Sequence, residues 1–403
     1  MRLKIICSGY IVRYPLGGMT LHHLQYLAGL ECLGHEVILL EDYGWADSCY
    51  DPVADAMTSD PSRGIQYLRR VWERFGLHAR WCYLAQDGMA YGMTRESLGQ
   101  ICRDCDLYLN LSNVNWIPEL EDCRRRILID TDPGLNQTGS FGLGGPFSRY
   151  DALFTYGVNV HRPGCEMPTG GVHWRTTCQP VVLDFWPVAA PNRTAPFSTI
   201  MSWKSYEDVH YESHTYGQKD RQFGPYFSLP GDLGEDMELA VRPPEEAACR
   251  LVNGGWKLTD PRRVSQYPWT YQDYIRNSRA EFSLAAHLYT ATKCGWFSDR
   301  SAGYLASGRP VVVQDTHFKT WLPAGEGLLT FDDREGAVAA IEEVNRRYEF
   351  HCYRARELAE EYLDSQKVLS RLLAEAMSSD AGGAEPAVAH NLSGIHPAPG
   401  NRP

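Results

Sequence analysis

The chain has 403 residues, 43% of them hydrophobic and 22% charged, which is typical of a globular protein with room for two domains. Its net charge of −11 argues against a nucleic acid or an anionic membrane as partner, because a phosphate backbone requires a basic protein surface. No apolar run approaches the ~20 residues of a membrane span, no signal peptide is apparent, and 12 scattered cysteines favour a reduced, cytoplasmic setting.

The first 45 residues predict a strand, a glycine turn, a helix and a second strand. Residues 3–6 read as the first strand and residues 37–40 as a buried apolar strand, and between them residues 21–30 show the spacing of an amphipathic helix. Gly17 and Gly18 form the turn and would let the backbone approach a ligand closely. This order is typical of the first βαβ unit of a parallel sheet that is covered by helices.

Later segments extend this α/β pattern into a second unit. Residues 106–111, 126–130 and 151–156 read as further strands, and residues 163–191 form a Pro- and Gly-rich linker. The predicted domain bounds are 1–185 for a first Rossmann-like domain, 192–348 for a second, 349–378 for one amphipathic helix that packs back on the first, and 379–403 for a disordered tail.

Residues 292–315 carry the most informative pattern: a loop, the start of a helix, a short helix and a buried strand. Ser298 and Asp299 are N-cap candidates. Arg300 and Ser301 would lie in the first turn, where free backbone N–H groups and the helix dipole favour an anion. The pattern therefore predicts a phosphate site, against the alternative of an ordinary capped helix.

This segment resembles the donor-binding region of glycosyltransferases with the two-domain GT-B architecture. Residues 293–298 read Lys-Cys-Gly-Trp-Phe-Ser, similar to the His-Cys-Gly-Trp-Asn-Ser run that holds a nucleotide-sugar diphosphate in the plant and antibiotic branch. Residues 303–312 resemble the Glu-Ala-Met-Ala-x-Gly-x-Pro-Val-Val run of the retaining branch, with Gly303 at the position of a ribose-binding Glu. The resemblance implies two Rossmann-like domains that face each other across a cleft, with the nucleotide on the second.

The donor would be a UDP- or dTDP-linked sugar, with no other cofactor. A diphosphate needs cations and amide donors, and Lys219, Lys293 and the helix start at residues 298–301 can supply them. The retaining branch commonly has a Lys near the position of Lys219. Metal is not expected, because the second domain has no Asp-x-Asp pair at a strand end. Near the sugar, the resemblance implies contacts from residues that follow the next strand: Gln314, Asp315 and Thr316.

The catalytic base has three candidates. The plant-type branch has its catalytic His at the position that Met19 occupies here, so that His is missing from this chain. His22 lies one turn further along the predicted helix. Asp130 and Asp132 end a buried strand, where open α/β sheets bind ligands. Turn-capping carboxylates and a packing histidine are the alternatives for these residues.

The sequence therefore predicts a metal-independent glycosyltransferase of the hexosyl type. Its partners would be a nucleotide sugar and a small or medium acceptor, such as a natural product. Two alternatives stay open: a nucleotide-sugar epimerase on the same scaffold, and a non-catalytic protein that binds nucleotide sugars.

Overall fold

Two helix-covered sheets organise the computed structural model, which describes residues 2–139 and 146–378. The predicted disordered tail at 379–403 lies outside the described residues. Within the described ranges, no helix is both long and apolar enough to cross a membrane.

The first sheet has eight strands in the order β10-β9-β8-β7-β1-β2-β5-β6. All pairs are parallel except β5 with β6, and the central strands are buried on both faces, as their apolar sequences require. The ten strands of this half, including a separate β3–β4 hairpin, are β1 (Lys4–Ser8), β2 (Glu36–Asp42), β3 (Cys49–Asp51), β4 (Ala56–Thr58), β5 (Arg80–Leu84), β6 (Ala90–Tyr91), β7 (Leu107–Leu111), β8 (Arg126–Asp130), β9 (Ala152–Thr155) and β10 (Arg175–Thr176). Its helices are α1 (Gly17–Cys32), α2 (Ser62–Phe75) and α3 (Arg95–Asp104).

The second sheet has six parallel strands in the order β15-β14-β11-β16-β17-β18. A short antiparallel hairpin, β12–β13, is inserted after β11. The strands are β11 (Phe197–Ile200), β12 (Val209–Tyr211), β13 (His214–Tyr216), β14 (Met237–Ala240), β15 (Lys257–Thr259), β16 (Ala280–Ser283), β17 (Val311–Gln314) and β18 (Leu328–Phe331). The helices are α4 (Leu229–Leu233), α5 (Glu245–Asn253), α6 (Pro261–Val264), α7 (Pro268–Arg276), α8 (His287–Thr292), α9 (Asp299–Ala306) and α10 (Arg334–Arg346).

The C-terminal segment departs from the prediction of one long helix. It forms α11 (Tyr348–Leu358), a π-helical turn (Ala359–Leu363) and α12 (Ser365–Met377). Asp364 breaks the helix with φ −48° and ψ 122°, and its carboxylate caps α12 by accepting from the Gln366 amide. The break lets α12 pack against α1, where a Cβ on Gly29 would contact Leu369.

The predicted linker at 163–191 is partly structured, because β10 lies within it and pairs with β9 of the first sheet. The chain then crosses to the second sheet through a 3₁₀ turn, Leu183–Phe185. The domain bounds given above stay a prediction. The carboxyl ends of the parallel strands, where such sheets bind ligands, carry the loops described next.

Candidate functional site

Helix α9 begins at the point that the sequence pattern predicts. Ser298 is the extended N-cap residue and Asp299 the first helical residue. The loop before it is held by the segment after β17: the Gly295 amide donates to the Thr316 carbonyl at 2.8 Å, and the Thr316 hydroxyl donates to the Trp296 carbonyl at 2.5 Å. These bonds fix the direction of the helix N-terminus.

A recess of about 250 Å³, part of it open to solvent, lies beside the first turn of α9. We call it the serine recess, because Ser283, Ser298 and Ser301 line it together with Gln314 and Thr316. The Ser301 hydroxyl is buried and has no hydrogen-bond partner among the described residues. The backbone amides of the first turn cannot bond within the helix, so the recess offers donors to an anion.

Arg300 is oriented by contacts that the sequence did not reveal. Its Nε donates to the Glu281 carboxylate at 2.6 Å, and its terminal nitrogens donate to the Ile200 carbonyl at 2.9 Å and the Ser283 hydroxyl at 2.5 Å. Glu281 is fully buried on β16. The guanidinium therefore lines the serine recess in a fixed position.

Lys219 lies beside Arg300. It starts a 3₁₀ turn after the β12–β13 hairpin. Burial and the neighbouring Arg300 charge lower the pKa of its ammonium group to about 7, although the Glu281 and Asp132 carboxylates oppose this. Among the residues that the structure describes, no hydrogen bond or ion pair engages this group. Lys219 is thus an amine whose charged form an added anion would favour.

His22 and Asp299 form a pair that joins the two halves of the molecule. The Nδ1 of His22, on α1, lies 3.2 Å from the Asp299 carboxylate at the start of α9. Burial is the largest single effect on the pKa of His22 and would lower it, but the Asp299 charge, the hydrogen bond to Asp299 and the Asp132 charge together raise this pKa. With the Nδ1 hydrogen directed at the carboxylate, the neutral ring leaves Nε2 as an acceptor, and this buried atom has no partner among the described residues.

Asp132 lies near this pair and is held by the Tyr289 hydroxyl, which donates to it at 2.9 Å. Burial raises the pKa of this carboxyl group, and the Asp299 charge adds to the effect. Asp132, His22, Asp299 and Lys219 therefore form one electrostatically coupled group at the facing edges of the two sheets.

Asp130 does not join this group, contrary to the expectation from its place at a strand end. It is fully buried and accepts hydrogen bonds from Asn136 at 2.8 Å and from Gln137 and Thr155 at 2.7 Å. Burial raises the pKa of this carboxyl group to about 6, although these donors oppose the shift. Asp130 thus anchors the loop after β8 through the hydrogen bonds that it accepts.

The two glycines of the predicted turn are the first residues of α1 and allow a close contact between helices. A Cβ on Gly17 would lie 2.3 Å from the Tyr267 carbonyl oxygen, and a Cβ on Gly18 would lie 2.9 Å from the Tyr271 ring. Gly17 therefore serves the contact between α1 and α7 rather than a ligand. Gly18 also lines the recess between α1 and α9.

Lys293 and the residues after β17 lie in the connecting loops. Lys293 ends α8 in the left-handed region with φ 52°, and the residue is exposed. Gln314 and Thr316 line the serine recess. Asp315 is engaged internally by the Lys319 ammonium at 2.7 Å and the His317 amide at 2.7 Å, so its expected sugar contact finds no support in this geometry.

Comparison with solved structures shows which fold this chain has. No protein-family model matches the chain, and no curated protein matches it in sequence. Solved structures do match: an α-glucosyltransferase in complex with UDP and a 13-mer DNA containing an HMU base has a TM-score of 0.60 and 13% identity, covering 94% of this chain and 100% of that chain. AviGT4, a glycosyltransferase involved in avilamycin A biosynthesis, has a TM-score of 0.55 and 14% identity, with 94% and 99% covered. Sucrose-phosphate synthase from Thermosynechococcus elongatus has a TM-score of 0.52 and 14% identity, with 93% and 100% covered.

The chain has the GT-B glycosyltransferase fold. The predicted fold class, α/β with two Rossmann-like units, is confirmed. In this GT-B chain, the serine recess and the group of Lys219, Arg300, His22 and Asp299 lie where the carboxyl ends of the two sheets face each other.

The prediction that this protein has no nucleic acid partner, which was based on its net charge, is wrong. A protein with this fold, the α-glucosyltransferase, is solved in complex with 13-mer DNA, including one that contains a central A:G mismatch. A net charge of −11 therefore does not rule out such a partner for a GT-B chain.

Proposed function

We propose that this protein is a glycosyltransferase that moves a sugar from a nucleoside diphosphate sugar, UDP- or dTDP-linked, to an acceptor hydroxyl group. The observation that carries the proposal is the serine recess at the N-terminus of α9, which Arg300 and Ser301 line, with the Lys219 amine close enough to Arg300 to interact with its charge. A diphosphate there would meet the Arg300 guanidinium, the buried Ser301 hydroxyl and backbone amides of the first turn, with the Lys219 amine nearby.

This arrangement fits the charge that develops in the reaction. The bond between the sugar C1 and the diphosphate oxygen breaks, and negative charge grows on the leaving nucleoside diphosphate. Donors fixed in advance around that charge stabilise the transition state more than the ground state. The hydrogen bonds that Arg300 donates to Glu281 and Ser283 hold it in such a fixed position.

The acceptor oxygen forms the new bond to C1 and gives up its proton. His22 is the group that receives it, because Nε2 is an unpartnered acceptor among the described residues and Asp299 stabilises the imidazolium that results. Asp132 adds a second nearby carboxylate to the same group. Asp130, engaged by three donors, has no part in this step.

The reaction as proposed needs no metal, since Lys219, Arg300 and the helix amides provide the charge neutralisation. Activity should then survive an excess of EDTA. The proposed acceptors are small or medium molecules, such as natural products. Because the α-glucosyltransferase with this fold is solved with DNA, the acceptor screen includes DNA that contains an HMU base, beside small molecules.

The deciding experiment measures UDP and dTDP binding to the wild type, Lys219→Ala and Lys204→Ala. A ligand at 100-fold its Kd stabilises a protein by about 2.7 kcal/mol, so wild type should show a clear increase in Tm. We expect Lys219→Ala to weaken binding about 10-fold or more, a loss of about 1.4 kcal/mol. Lys204 is the matched control, since it lies on the same connection but is exposed and paired with Glu207.

Transfer is measured as nucleoside diphosphate release that depends on an acceptor. Losing one preorganised donor should lower kcat about 10²-fold in Lys219→Ala. Interconversion of the donor sugar without an acceptor would instead indicate an epimerase, and binding without any turnover would indicate a non-catalytic binding protein. Failure of the wild type to bind either nucleotide would refute the proposed function.

A further inference from the structure

The loop that follows β8 in the first half of the molecule is held by two side chains of the second half. The Tyr289 hydroxyl of α8 donates to Oδ1 of Asp132 at 2.9 Å, and Nε1 of Trp296 donates to the Thr131 carbonyl at 3.1 Å. The rings of Tyr289 and Trp296 stack on each other, with 4.3 Å between their centroids. Two stacked rings of one half therefore fix two successive residues of the other.

Both oxygens of the Asp132 carboxylate accept hydrogen bonds, but the two bonds differ. Oδ1 accepts from Tyr289 at 2.9 Å, whereas Oδ2 accepts from the Thr131 hydroxyl at 3.2 Å, which is long for an O–H···O bond. The Thr131 hydroxyl is also hydrogen-bonded to the hydroxyl of Ser112. Tyr289, only 4% exposed, is therefore the main donor that orients this carboxylate.

Asp132 carries its charge close to the pair proposed as the catalytic base. The titratable groups that interact with it come from several elements: His22 of α1, Asp299 of α9, Tyr206 before β12, Lys219 after β13 and Asp130 of β8. Those around His22 are Asp299, Asp132, His23 and Tyr26. Burial raises the pKa of Asp132, and the hydrogen bond from Tyr289 is the largest effect that opposes this rise.

The charge on Asp132 bears on the proposed reaction. His22 becomes an imidazolium when it takes the proton of the acceptor, and a nearby carboxylate stabilises this form. Asp299 does so from 3.2 Å, and the Asp132 charge adds to the effect. Because a hydrogen bond to a carboxylate favours its charged form, the Tyr289 hydroxyl preserves the contribution of Asp132.

We infer that Tyr289 is a positioning residue for the transfer reaction: its hydroxyl holds the Asp132 carboxylate charged and in place beside His22 and Asp299. The inference rests on the proposed function, because it concerns the same base. Tyr289 lines neither the serine recess nor the recess between α1 and α9, so it acts on the proton transfer and not on the nucleotide. Since α8 belongs to the second half, the base reaches its full strength only when both halves are in contact.

The first test follows the titration of His22 by NMR in wild type and Tyr289→Phe. Phenylalanine keeps a ring against Trp296 and removes only the hydroxyl. Without its main donor, Asp132 becomes protonated at a higher pH, and the imidazolium loses part of its stabilisation. We therefore expect the pKa of His22 to be lower in Tyr289→Phe than in wild type.

Tyr67→Phe is the matched control. It also removes a buried tyrosine hydroxyl next to α1, one that is hydrogen-bonded to Thr20 at 2.9 Å. The titration of His22 should stay unchanged in this variant. The Kd for UDP at pH 6 should stay unchanged in Tyr289→Phe as well, which shows that the protein remains folded.

A double-mutant comparison separates an effect through Asp132 from a general structural effect. Asparagine has no charge to preserve, so Asp132→Asn should lower the pKa of His22 by itself. Adding Tyr289→Phe to Asp132→Asn should then cause no further decrease. A structural role of Tyr289 would instead lower this pKa equally in both backgrounds.

Transfer kinetics provide a second readout. In Tyr289→Phe, kcat should fall about 3- to 10-fold, the effect of one lost hydrogen bond, while KM for the donor stays the same. The acidic limb of the pH profile of kcat should move to lower pH, because His22 then loses its proton at lower pH.

An unchanged pKa of His22 in Tyr289→Phe, or an equal decrease in the Asp132→Asn background, would overturn the inference. Nucleotide binding and transfer by the wild type would still support the proposed function in that case. A wild type that binds no nucleotide would refute the proposed function, whereas the NMR comparison would still decide whether Tyr289 acts on His22 through Asp132.

Discussion

At the scale of single residues, the charge state of Lys219 should govern how the affinity of the site for a diphosphate depends on pH. With a pKa of about 7, lowered by burial and by Arg300, this amine is mostly neutral at pH 8 in the free protein. A bound diphosphate favours the ammonium form, so we expect binding to take up as much as one proton per site at pH 8.

Calorimetry in buffers with different ionisation enthalpies measures this uptake directly. UDP affinity should also fall as the pH increases from 7 to 9, because protonating the amine then costs more. Lys219→Arg is the control, since a guanidinium stays charged throughout. Equal proton uptake in Lys219→Arg and wild type would show that another group is responsible.

Single residues also show what the sequence could not reveal about the site. Asp130 and Asp132 look equivalent in the sequence, yet three donors enclose Asp130 while Asp132 lies beside His22 and Lys219. One of these donors, Thr155, belongs to the neighbouring strand, so the distinction depends on tertiary contacts. Likewise Glu281 fixes Arg300 from another element, and no local pattern indicates that pairing.

At the scale of elements, the sequence predicted the parts whose patterns are local. Cap, turn and strand signals around α9 located that helix, because its N-cap at Ser298 and its C-terminal Gly308 with φ 70° are fixed by neighbouring residues. The prediction of one long C-terminal helix was wrong, because the apolar stripe continues through residues 349–377 and gives no sign of a break. The break depends on the pairing of Asp364 with Val181 of the connecting segment.

The packing of α1 on α7 gives a prediction about two helical glycines. Gly17→Ala should destabilise the protein by about 1–3 kcal/mol, because its Cβ would lie 2.3 Å from the Tyr267 carbonyl oxygen. Gly99→Ala in α3 is the matched control, since its Cβ would meet only the Arg103 guanidinium at 3.7 Å. That change should stabilise by about 0.5–1 kcal/mol through the better helix propensity of alanine.

Urea unfolding measures both changes as free energies of unfolding. If Gly17→Ala were as stable as wild type, α1 and α7 would have to separate easily. The close approach of the two halves at this point would then not contribute to stability.

At the scale of the whole molecule, the two halves meet through polar contacts as well as through helix packing. Asp55, on the β3–β4 hairpin of the first half, accepts from Arg242 at 2.8 Å and lies 3.2 Å from Arg262, both of the second half. The Tyr50 hydroxyl donates to the other Asp55 oxygen at 2.8 Å and orients the carboxylate. His22 and Asp299 form the corresponding contact at the site. His22 and Asp299, the pair proposed to act as the catalytic base, are therefore in contact only while the halves stay together.

Removing the Asp55 carboxylate should loosen the halves without unfolding either of them. Exposed ion pairs contribute about 0–1 kcal/mol, so the free energy of unfolding of Asp55→Ala should change by less than about 1 kcal/mol. Hydrogen exchange should nevertheless become faster in residues 261–276, which lie across the contact, because their protection depends on local opening. Glu36→Ala is the matched control, since it removes a similarly exposed pair, with Arg80, inside the first sheet. Faster exchange in both variants would indicate general destabilisation, and slow exchange in both would show that Asp55 does not hold the two halves together.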